Sequence, residues 1–296
     1  MHGDAQIDSD VDLVRGLLQD QFPRWANLPI ARIESDGTDN AIYRVGDELV
    51  ARLPLVEWAA EQALKECIWL PQVAPLLPLA VPTPVASGEP GRGYPVRWSV
   101  HGWIDGVNAS PERIDDISRA VDDMARFITA LHEIDLPDPP MCPRAAPLAD
   151  SDELTRWGIS ELREEFDAET LTTIWDEALA APPWPGPPVW VHADLTDGNI
   201  LVRDGRIVAV IDWSFLGRAE PANDLDVAWD LFSGPSRQAF RELLEIDDAT
   251  WARARGWAVK SVIGVLYYRE TNPGIVARCR RRLASVIDDH RSLGAR

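Results

Sequence analysis

The most informative part of the chain reads Val191-His-Ala-Asp-Leu-Thr-Asp-Gly-Asn-Ile-Leu-Val202, and Val208-Ala-Val-Ile-Asp-Trp213 follows it closely. Asp194 and Asn199 lie five residues apart in a short polar stretch. Two apolar runs come next, separated by an Asp-Gly pair, and this pattern predicts a β-hairpin. Asp212 ends the second run, so the three oxygen-bearing side chains are expected at the same end of one hairpin.

These residue types suit the transfer of a phosphoryl group to a hydroxyl. One carboxylate must accept the hydroxyl proton, and Asp194 is the candidate for this role. A second carboxylate and an amide oxygen must hold Mg²⁺, a hard ion that prefers oxygen ligands, and Asp212 and Asn199 fit this pair. The order His-x-Asp, four residues, Asn, with an Asp further on, is typical of a kinase catalytic loop. The alternative for Asp194 is a loop aspartate that only caps a turn.

With these residues, and with Ile-Asp-Trp in place of the Asp-Phe-Gly of protein kinases, the chain resembles the aminoglycoside phosphotransferases. That group includes macrolide and other small-molecule kinases. Three further segments stand in the order of the family's other motifs: Leu49-Val-Ala-Arg-Leu-Pro54, Trp98-Ser-Val-His-Gly-Trp-Ile-Asp-Gly106 and Asp224-Leu-Asp-Val-Ala-Trp229. The resemblance therefore covers most of the chain.

The resemblance implies a Mg²⁺-dependent enzyme that moves the γ-phosphate of ATP or GTP to a hydroxyl of a small molecule. An aminoglycoside-type antibiotic is the leading acceptor, which would make this an antibiotic-resistance activity. A macrolide, another antibiotic or a metabolite comes next. The alternative from a different class is a catalytically silent, nucleotide-binding pseudokinase. Such proteins often lose one of the three residues that are all present here.

The resemblance also implies an α+β, protein-kinase-like bilobal fold. It assigns residues 1–105 to a small sheet-rich N-lobe that binds nucleotide and ends in a hinge. Residues 106–296 form a larger, mainly helical C-lobe with the catalytic loop and the acceptor site. Apolar periodicity predicts strands over 30–34, 41–45, 48–53 and 95–100, with one more after Pro84, and helices over 8–22, 58–70, 114–131, 152–165, 169–180, 236–245, 248–270 and 273–293. Pro23 and Pro71 are expected to end the first two helices.

Supporting residues around the loop are assigned by the same resemblance. His192 is expected to brace the loop by hydrogen bonding rather than to transfer protons. Asp224 is expected to tether the loop from the following segment. Asp197, inside the loop, is interpreted as a cap, with a metal or substrate contact as the alternatives.

On the nucleotide side, Arg52 stands where protein kinases place a lysine that binds phosphate. Arginine keeps the charge and offers a planar fork of donors, so the role is retained in principle. The alternative is a surface arginine on an edge strand. Its expected ion-pair partner on the next helix is Glu66, with Glu61 as the second choice.

The resemblance also implies the remaining nucleotide contacts. The segment that should cover the phosphates, Ser35-Asp-Gly-Thr-Asp-Asn40, has a single glycine, so Thr38 and backbone amides are its candidate donors. His101 and Trp103 lie on the expected hinge strand and are assigned to the nucleotide, although a histidine in such a strand is more often packed than a ligand.

The net charge of −19, from 29 basic and 48 acidic residues, argues against a nucleic-acid partner, whose phosphates need basic side chains. The charge has two interpretations: plain solubility, or an acidic pocket that attracts a cationic acceptor. For the second, the candidate carboxylates are those of Asp226, Asp230 and Glu270.

Hydropathy and cysteine content indicate the compartment. The chain is 46% hydrophobic and 26% charged, with no apolar run long enough to span a membrane and no signal-peptide pattern at its N-terminus. The three cysteines, Cys67, Cys142 and Cys279, are far apart, which favours reduced thiols over zinc binding. We expect a cytoplasmic protein without a membrane partner.

Overall fold

The computed structural model describes residues 7–34, 37 and 39–294. The chain divides into two compact units. Unit 1 comprises Met1–Asp105 and Ala209–Ser214, and unit 2 comprises Gly106–Val208 and Phe215–Arg296. The division after residue 105 coincides with the expected lobe boundary, whereas the 209–214 segment, expected in the C-lobe, belongs to unit 1.

Unit 1 is built on a five-stranded antiparallel sheet in the order β1-β2-β3-β5-β4. Its strands are β1 (Ile30–Ile33), β2 (Asn40–Val45), β3 (Leu49–Pro54), β4 (Pro84–Gly88) and β5 (Trp98–Gly102), and its helices are α1 (Val11–Gln21) and α2 (Glu57–Val73). Burial alternates along β2, where Ala41, Tyr43 and Val45 face the core. This period-two pattern is the signature of a strand with one buried face.

The first helix forms for reasons that are visible in its sequence. The Asp10 carboxylate accepts a hydrogen bond from the backbone nitrogen of Leu13 at 2.7 Å and so caps the free N-terminal end. Val14, Leu17 and Leu18 recur at helical spacing and are fully buried against the sheet. The helix ends at Gln21, before Pro23, as predicted.

The second helix corrects a prediction, because α2 runs through Pro71 and ends at Val73. A proline inside a helix removes one backbone hydrogen bond and strains the preceding turn. Here Leu70 and Val73 are both fully buried, so the packing of the last turn offsets that loss. A short 3₁₀ turn, Ala74–Leu76, follows.

The 209–214 segment belongs to unit 1 because backbone contacts attach it there. The nitrogen of Val210 donates to the oxygen of Ala80 at 3.0 Å. The Nζ of Lys65, on α2, donates to the backbone oxygen of Ser214 at 2.7 Å. Asp212 therefore lies within unit 1.

Unit 2 is mainly helical. Its helices are α3 (Ile117–His132), α4 (Asp152–Glu161), α5 (Ala168–Ala180), α6 (Val227–Asp230), α7 (Gly234–Leu243), α8 (Asp248–Val259), α9 (Ser261–Tyr268) and α10 (Pro273–Gly294). The helix predicted over 248–270 is two helices that meet at Lys260. Among the residues that the structure describes, no helix is long and apolar enough to cross a membrane.

Five short strands complete the set: β6 (Val107–Asn108), β7 (Val189–Val191), β8 (Ile200–Arg203), β9 (Arg206–Val210) and β10 (Gly217–Ala219). β6, β8 and β9 form a small sheet, so the predicted hairpin is present as β8 and β9, and β9 continues across the boundary into unit 1. β7 pairs antiparallel with β10. The polar loop with Asp194 and Asn199 therefore lies between two strands that hold both of its ends.

Candidate active site

The loop between β7 and β8 presents Asp194 on a constrained backbone. Ala193 has a φ of 62°, in the left-handed region that a residue with a Cβ rarely adopts. Such a conformation costs about 1–3 kcal/mol and persists only where the surroundings impose it. Here a fully buried carboxylate imposes it, because Asp224 accepts hydrogen bonds from the backbone nitrogens of Ala193 at 2.7 Å and His192 at 3.2 Å. Asp224 thus makes the contacts expected of a tether.

Two histidines complete this support. His192 is fully buried, and its Nδ1 accepts a hydrogen bond from the backbone nitrogen of Asp194 at 3.2 Å. This contact agrees with a bracing role. His132, at the end of α3, places its Nε2 3.2 Å from Asp224. His132 could not be assigned to the site from the sequence, because its helical position is equally typical of a packed residue.

Asp194 and Asn199 are in direct contact. The Nδ2 of Asn199 donates to the backbone oxygen of Asp194 at 2.9 Å and to its carboxylate Oδ2 at 2.8 Å. Because the amide nitrogen of Asn199 is bonded to Asp194, its amide oxygen remains available as a metal ligand. The loop therefore fixes two of the three predicted residues relative to each other.

Arg144 also binds Asp194, and the sequence did not predict it. Its Nη1 donates to Asp194 Oδ1 at 2.5 Å and to the oxygen of Ala193 at 2.9 Å. Burial alone would raise the pKa of Asp194, but the charge of Arg144 and the neighbouring His192 outweigh it and lower that pKa. Arg144 lies in a proline-rich connection without periodicity, so no local pattern could have indicated this contact.

A second cluster surrounds Asp212 in unit 1. Arg52 pairs with Glu66, with 2.5 Å between Nη1 and Oε2, and its Nη2 lies 3.5 Å from Asp212. Of the two acids considered, Glu66 is therefore the ion-pair partner, and Glu61 is exposed. Burial raises the pKa of Glu66, and Arg52 opposes that rise. Ser214, which the sequence did not single out, donates to Asp212 Oδ1 at 2.7 Å.

Asp212 is held in the left-handed region with a φ of 60°. Its side chain remains 38% exposed, in contrast to Glu66 at 1%. Asp212 is thus the accessible carboxylate of this cluster, and Glu66 is the buried counter-ion of Arg52.

The assignment of His101 to the nucleotide is corrected, as far as its side chain is concerned. His101 is fully buried, with Nδ1 3.1 Å from the oxygen of Pro82 and Nε2 2.9 Å from Ser99 Oγ. Burial and the charge of Arg52 lower its pKa to about 3, so the ring is neutral. Both ring nitrogens are occupied, which leaves no side-chain atom for a ligand.

Trp103 and Thr38 are the other two residues that the sequence assigned to the nucleotide. Trp103 is half-buried; its Nε1 donates to Asp105 at 2.6 Å, and the Arg44 guanidinium lies 3.9 Å from the ring centroid. Its backbone nitrogen donates to the backbone oxygen of Glu48 at 2.8 Å. Thr38 lies outside the described residues.

Two of the three predicted acceptor acids, Asp226 and Asp230, are engaged by Arg282 of α10. Asp230 is buried and receives two hydrogen bonds from Arg282, at 2.7 and 2.5 Å, so its carboxylate is not available to an acceptor. Arg282 also donates to Asp226 at 2.9 Å. Burial raises the pKa of Asp226 to about 6 against the opposing charge of Arg282. Glu270 is exposed, just beyond α9.

Asp197 is also corrected. Its carboxylate is buried and paired with Arg278 at 2.5 Å and Arg281 at 2.7 Å, both on α10. The side chain therefore anchors the loop to α10 instead of capping a turn. Contacts of this kind join residues that are far apart in the chain, and for this reason the local sequence did not indicate them.

Residues 30–257 match the family model described as the phosphotransferase enzyme family, APH. The chain belongs to this family. Its members transfer phosphate to hydroxyl groups, and the chain is accordingly a phosphotransferase. No curated protein matches the sequence.

Solved structures show the fold of this phosphotransferase. The GDP complex of wild-type aminoglycoside 2'-phosphotransferase-IIIa is 15% identical, with a TM-score of 0.73 over 97% of this chain and 100% of that chain. Macrolide 2'-phosphotransferase type I is 18% identical, with a TM-score of 0.62 over 94% and 98%. MphH from Brachybacterium faecium, another macrolide 2'-phosphotransferase, is 20% identical, with a TM-score of 0.59 over 94% and 97%. These likenesses confirm the α+β, protein-kinase-like fold.

The residues of the phosphotransferase that would hold Mg²⁺ fit this ion by their chemistry. Asn199 retains an amide oxygen, and Asp212 is an exposed carboxylate. Among the described residues no group of three His, Cys, Asp or Glu side chains could hold a metal by itself. Mg²⁺ needs few protein ligands, because it is usually bound by one or two carboxylates together with substrate phosphates and water.

Proposed function

We propose that this phosphotransferase moves the γ-phosphate of ATP or GTP to a hydroxyl group of a small molecule, with Mg²⁺ bound by Asn199 and Asp212. The observation that carries the proposal is the pairing of Asp194 with Asn199 on a loop whose strained backbone is tethered by Asp224. The buried carboxylate of Asp224 holds the loop in this strained backbone conformation. Strain of this kind is typical of a functional site.

In this proposal Asp194 orients the acceptor hydroxyl and accepts its proton. Its lowered pKa makes the carboxylate a weak base. A weak base suits phosphoryl transfer, in which the transition state is loose and catalysis depends mainly on positioning and on neutralising charge. Bound Mg²⁺ would supply part of that neutralisation.

Arg52 is proposed to bind the nucleotide phosphates, with Glu66 as the group that orients it. The short ion pair and the burial of Glu66 support this role, because a buried acid restricts the guanidinium to few orientations. Backbone groups of the 98–103 segment, including Trp103, and donors around Thr38 are proposed to contact the rest of the nucleotide. Relatives have been solved with GDP and with ATP, so both donors remain in the proposal.

For the acceptor, family similarity favours an aminoglycoside-type antibiotic, because relatives include complexes with kanamycin and gentamicin. The exposed Glu270 and the partly exposed Asp226 are the remaining candidate partners for its ammonium groups. A neutral acceptor of the macrolide type is the second candidate. It is favoured by the α10 arginines, which already neutralise the other acids near the loop.

The experiment is a transfer assay with ATP and GTP against aminoglycosides, macrolides and nucleosides, read by mass spectrometry of the acceptor. A thermal-shift screen selects the compounds, because a bound ligand raises stability by mass action. We expect an added phosphoryl group on at least one antibiotic and none when Mg²⁺ is chelated. Nucleotide binding with neither hydrolysis nor transfer would instead support the pseudokinase alternative.

A further inference from the structure

The segment that carries Arg144 is docked against the strand next to the catalytic loop. This 140–145 segment pairs with β10: the nitrogen of Arg218 donates to the oxygen of Pro140 at 3.0 Å, and the nitrogen of Cys142 donates to the oxygen of Arg218 at 3.3 Å. A Cβ at Gly217 would clash with the backbone of Cys142, so the close approach requires glycine there. The segment is therefore fixed to the sheet that leads into the loop.

Arg144 itself is held at its backbone and at its guanidinium. Its backbone oxygen accepts a hydrogen bond from Asn223 Nδ2 at 3.2 Å. Its guanidinium stacks on Phe215, 3.7 Å from the ring centroid. From this position Nη1 reaches both the Asp194 carboxylate and the oxygen of Ala193, the residue with the strained backbone. A surface ion pair is usually mobile and weak, and these additional contacts distinguish Arg144 from one.

Both oxygens of Asp194 are thereby engaged. Arg144 holds Oδ1, and Asn199 holds Oδ2. Each carboxylate oxygen can accept more than one hydrogen bond, so capacity for an acceptor hydroxyl remains. Because the two donors approach different oxygens, the carboxylate cannot rotate freely about its side-chain bonds.

We propose that Arg144 is a positioning residue for the transfer reaction: held by the 140–145 segment and Phe215, it fixes the Asp194 carboxylate in the orientation that receives the acceptor hydroxyl. The inference rests on the proposed role of Asp194. Loss of such positioning lowers the rate of the chemical step and leaves nucleotide binding in place, because the side chain of Arg144 contacts the catalytic loop and Phe215.

The test compares Arg144→Gln and Arg144→Lys in the full chain. Turnover is measured with Mg²⁺–ATP, with water and with the best antibiotic of the panel as acceptors. We expect Arg144→Gln to lower kcat about 10- to 100-fold, the range for a misplaced reacting group, with the nucleotide KM within about twofold of wild type. Arg144→Lys keeps the charge but loses the planar stack, so it should recover part of the rate. If the glutamine variant does not fold, the lysine variant carries the comparison.

The control is Arg126→Gln, which removes an exposed arginine of α3 that contacts Asp123 and the backbone oxygen of Asp122 on the same helix. The turnover of this variant should be unchanged. A double-mutant cycle then asks whether Arg144 acts through Asp194. In an Asp194→Asn background, Arg144→Gln should cause no further loss of the residual turnover. Where that background has no measurable turnover, the coupling is measured by urea unfolding, in which Arg144→Gln should cost less unfolding free energy in Asp194→Asn than in wild type. An equal loss in both backgrounds, or a raised KM with a lower unfolding temperature, would overturn the positioning role.

The same cycle separates the two proposals. If Asp194→Asn keeps wild-type turnover, the proposed function of Asp194 fails. If Asp194→Asn is inactive but Arg144→Gln is unaffected, only the role of Arg144 is contradicted.

Discussion

At the scale of single residues, Arg52 connects the acid of α2 to the aspartate that follows β9. Its pKa, which burial would lower, is raised by Glu66 and Asp212, so the guanidinium is a permanent charge in unit 1. The family resemblance predicted this arginine and favoured Glu66 over Glu61 as its partner. Ser214 was not predicted, because a serine after an aspartate carries no pattern of its own.

The first prediction tests the phosphate contact. Arg52→Ala should raise the nucleotide KM, and Arg52→Lys should recover part of the loss, because lysine keeps the charge but not the fork of donors. Glu66→Gln should produce a fraction of the same defect. Glu61→Gln, an exposed acid on the same helix, is the matched control. An effect of Glu61→Gln equal to that of Glu66→Gln would contradict the ion-pair assignment.

The second prediction concerns pH. The pKa of His101 is about 3 in the folded chain, below the ordinary value of 6.5. The group is neutral when folded and takes up a proton on unfolding, so its contribution to stability is present above pH 6.5 and is lost as the pH falls towards 3. His101→Gln should therefore have a flatter dependence of unfolding free energy on pH across that window. Parallel curves for wild type and variant in urea unfolding would contradict the neutral assignment.

At the scale of elements, α10 is the helix that anchors the catalytic loop. Arg278 and Arg281 pair with Asp197 in the loop, and Arg282 pairs with Asp226 and Asp230. Short-range spacing predicted the hairpin, most of the helices and the loop residues, because those features repeat within a few residues. The α10 pairs and Arg144 join residues that are 50 or more positions apart. Such contacts depend on the tertiary fold, and a single sequence gives no sign of them.

The third prediction tests this anchor. Arg282→Met should destabilise the protein by about 3–5 kcal/mol, because it leaves buried carboxylates without their counter-charge. Arg280→Met is the control on the same helix, since Arg280 pairs with Glu165 near the surface, and such pairs contribute about 0–1 kcal/mol. Urea unfolding measures both. Equal losses of unfolding free energy for the two variants would contradict the claim that the buried pairs of Arg282 stabilise the protein more than a surface pair does.

At the scale of the whole molecule, the charge of −19 is not concentrated on the acids around the loop. Asp197 and Asp230 are already paired with arginines, and Asp194 is paired with Arg144. The sequence predicted acids at the acceptor site but could not show that arginines pair with Asp197, Asp226 and Asp230. Attraction of a cationic acceptor would therefore depend on the field of the whole chain, on Glu270 and on the partly exposed Asp226.

The fourth prediction follows from that field. For an aminoglycoside acceptor, KM should climb as the ionic strength is raised from low values to roughly 0.5 M, because salt screens exposed charges. The nucleotide KM under the same conditions is the internal control. A flat acceptor KM, or a neutral macrolide that outcompetes every aminoglycoside, would contradict the cationic interpretation and assign the net charge to solubility.

The most direct measurement is phosphoryl transfer by Asp194→Ala beside the affinity of the same variant for Mg²⁺–nucleotide. The account predicts that transfer is abolished while nucleotide affinity stays close to that of the wild type, because Asp194 acts on the acceptor hydroxyl and not on the nucleotide. Near-wild-type transfer by Asp194→Ala would contradict the central claim.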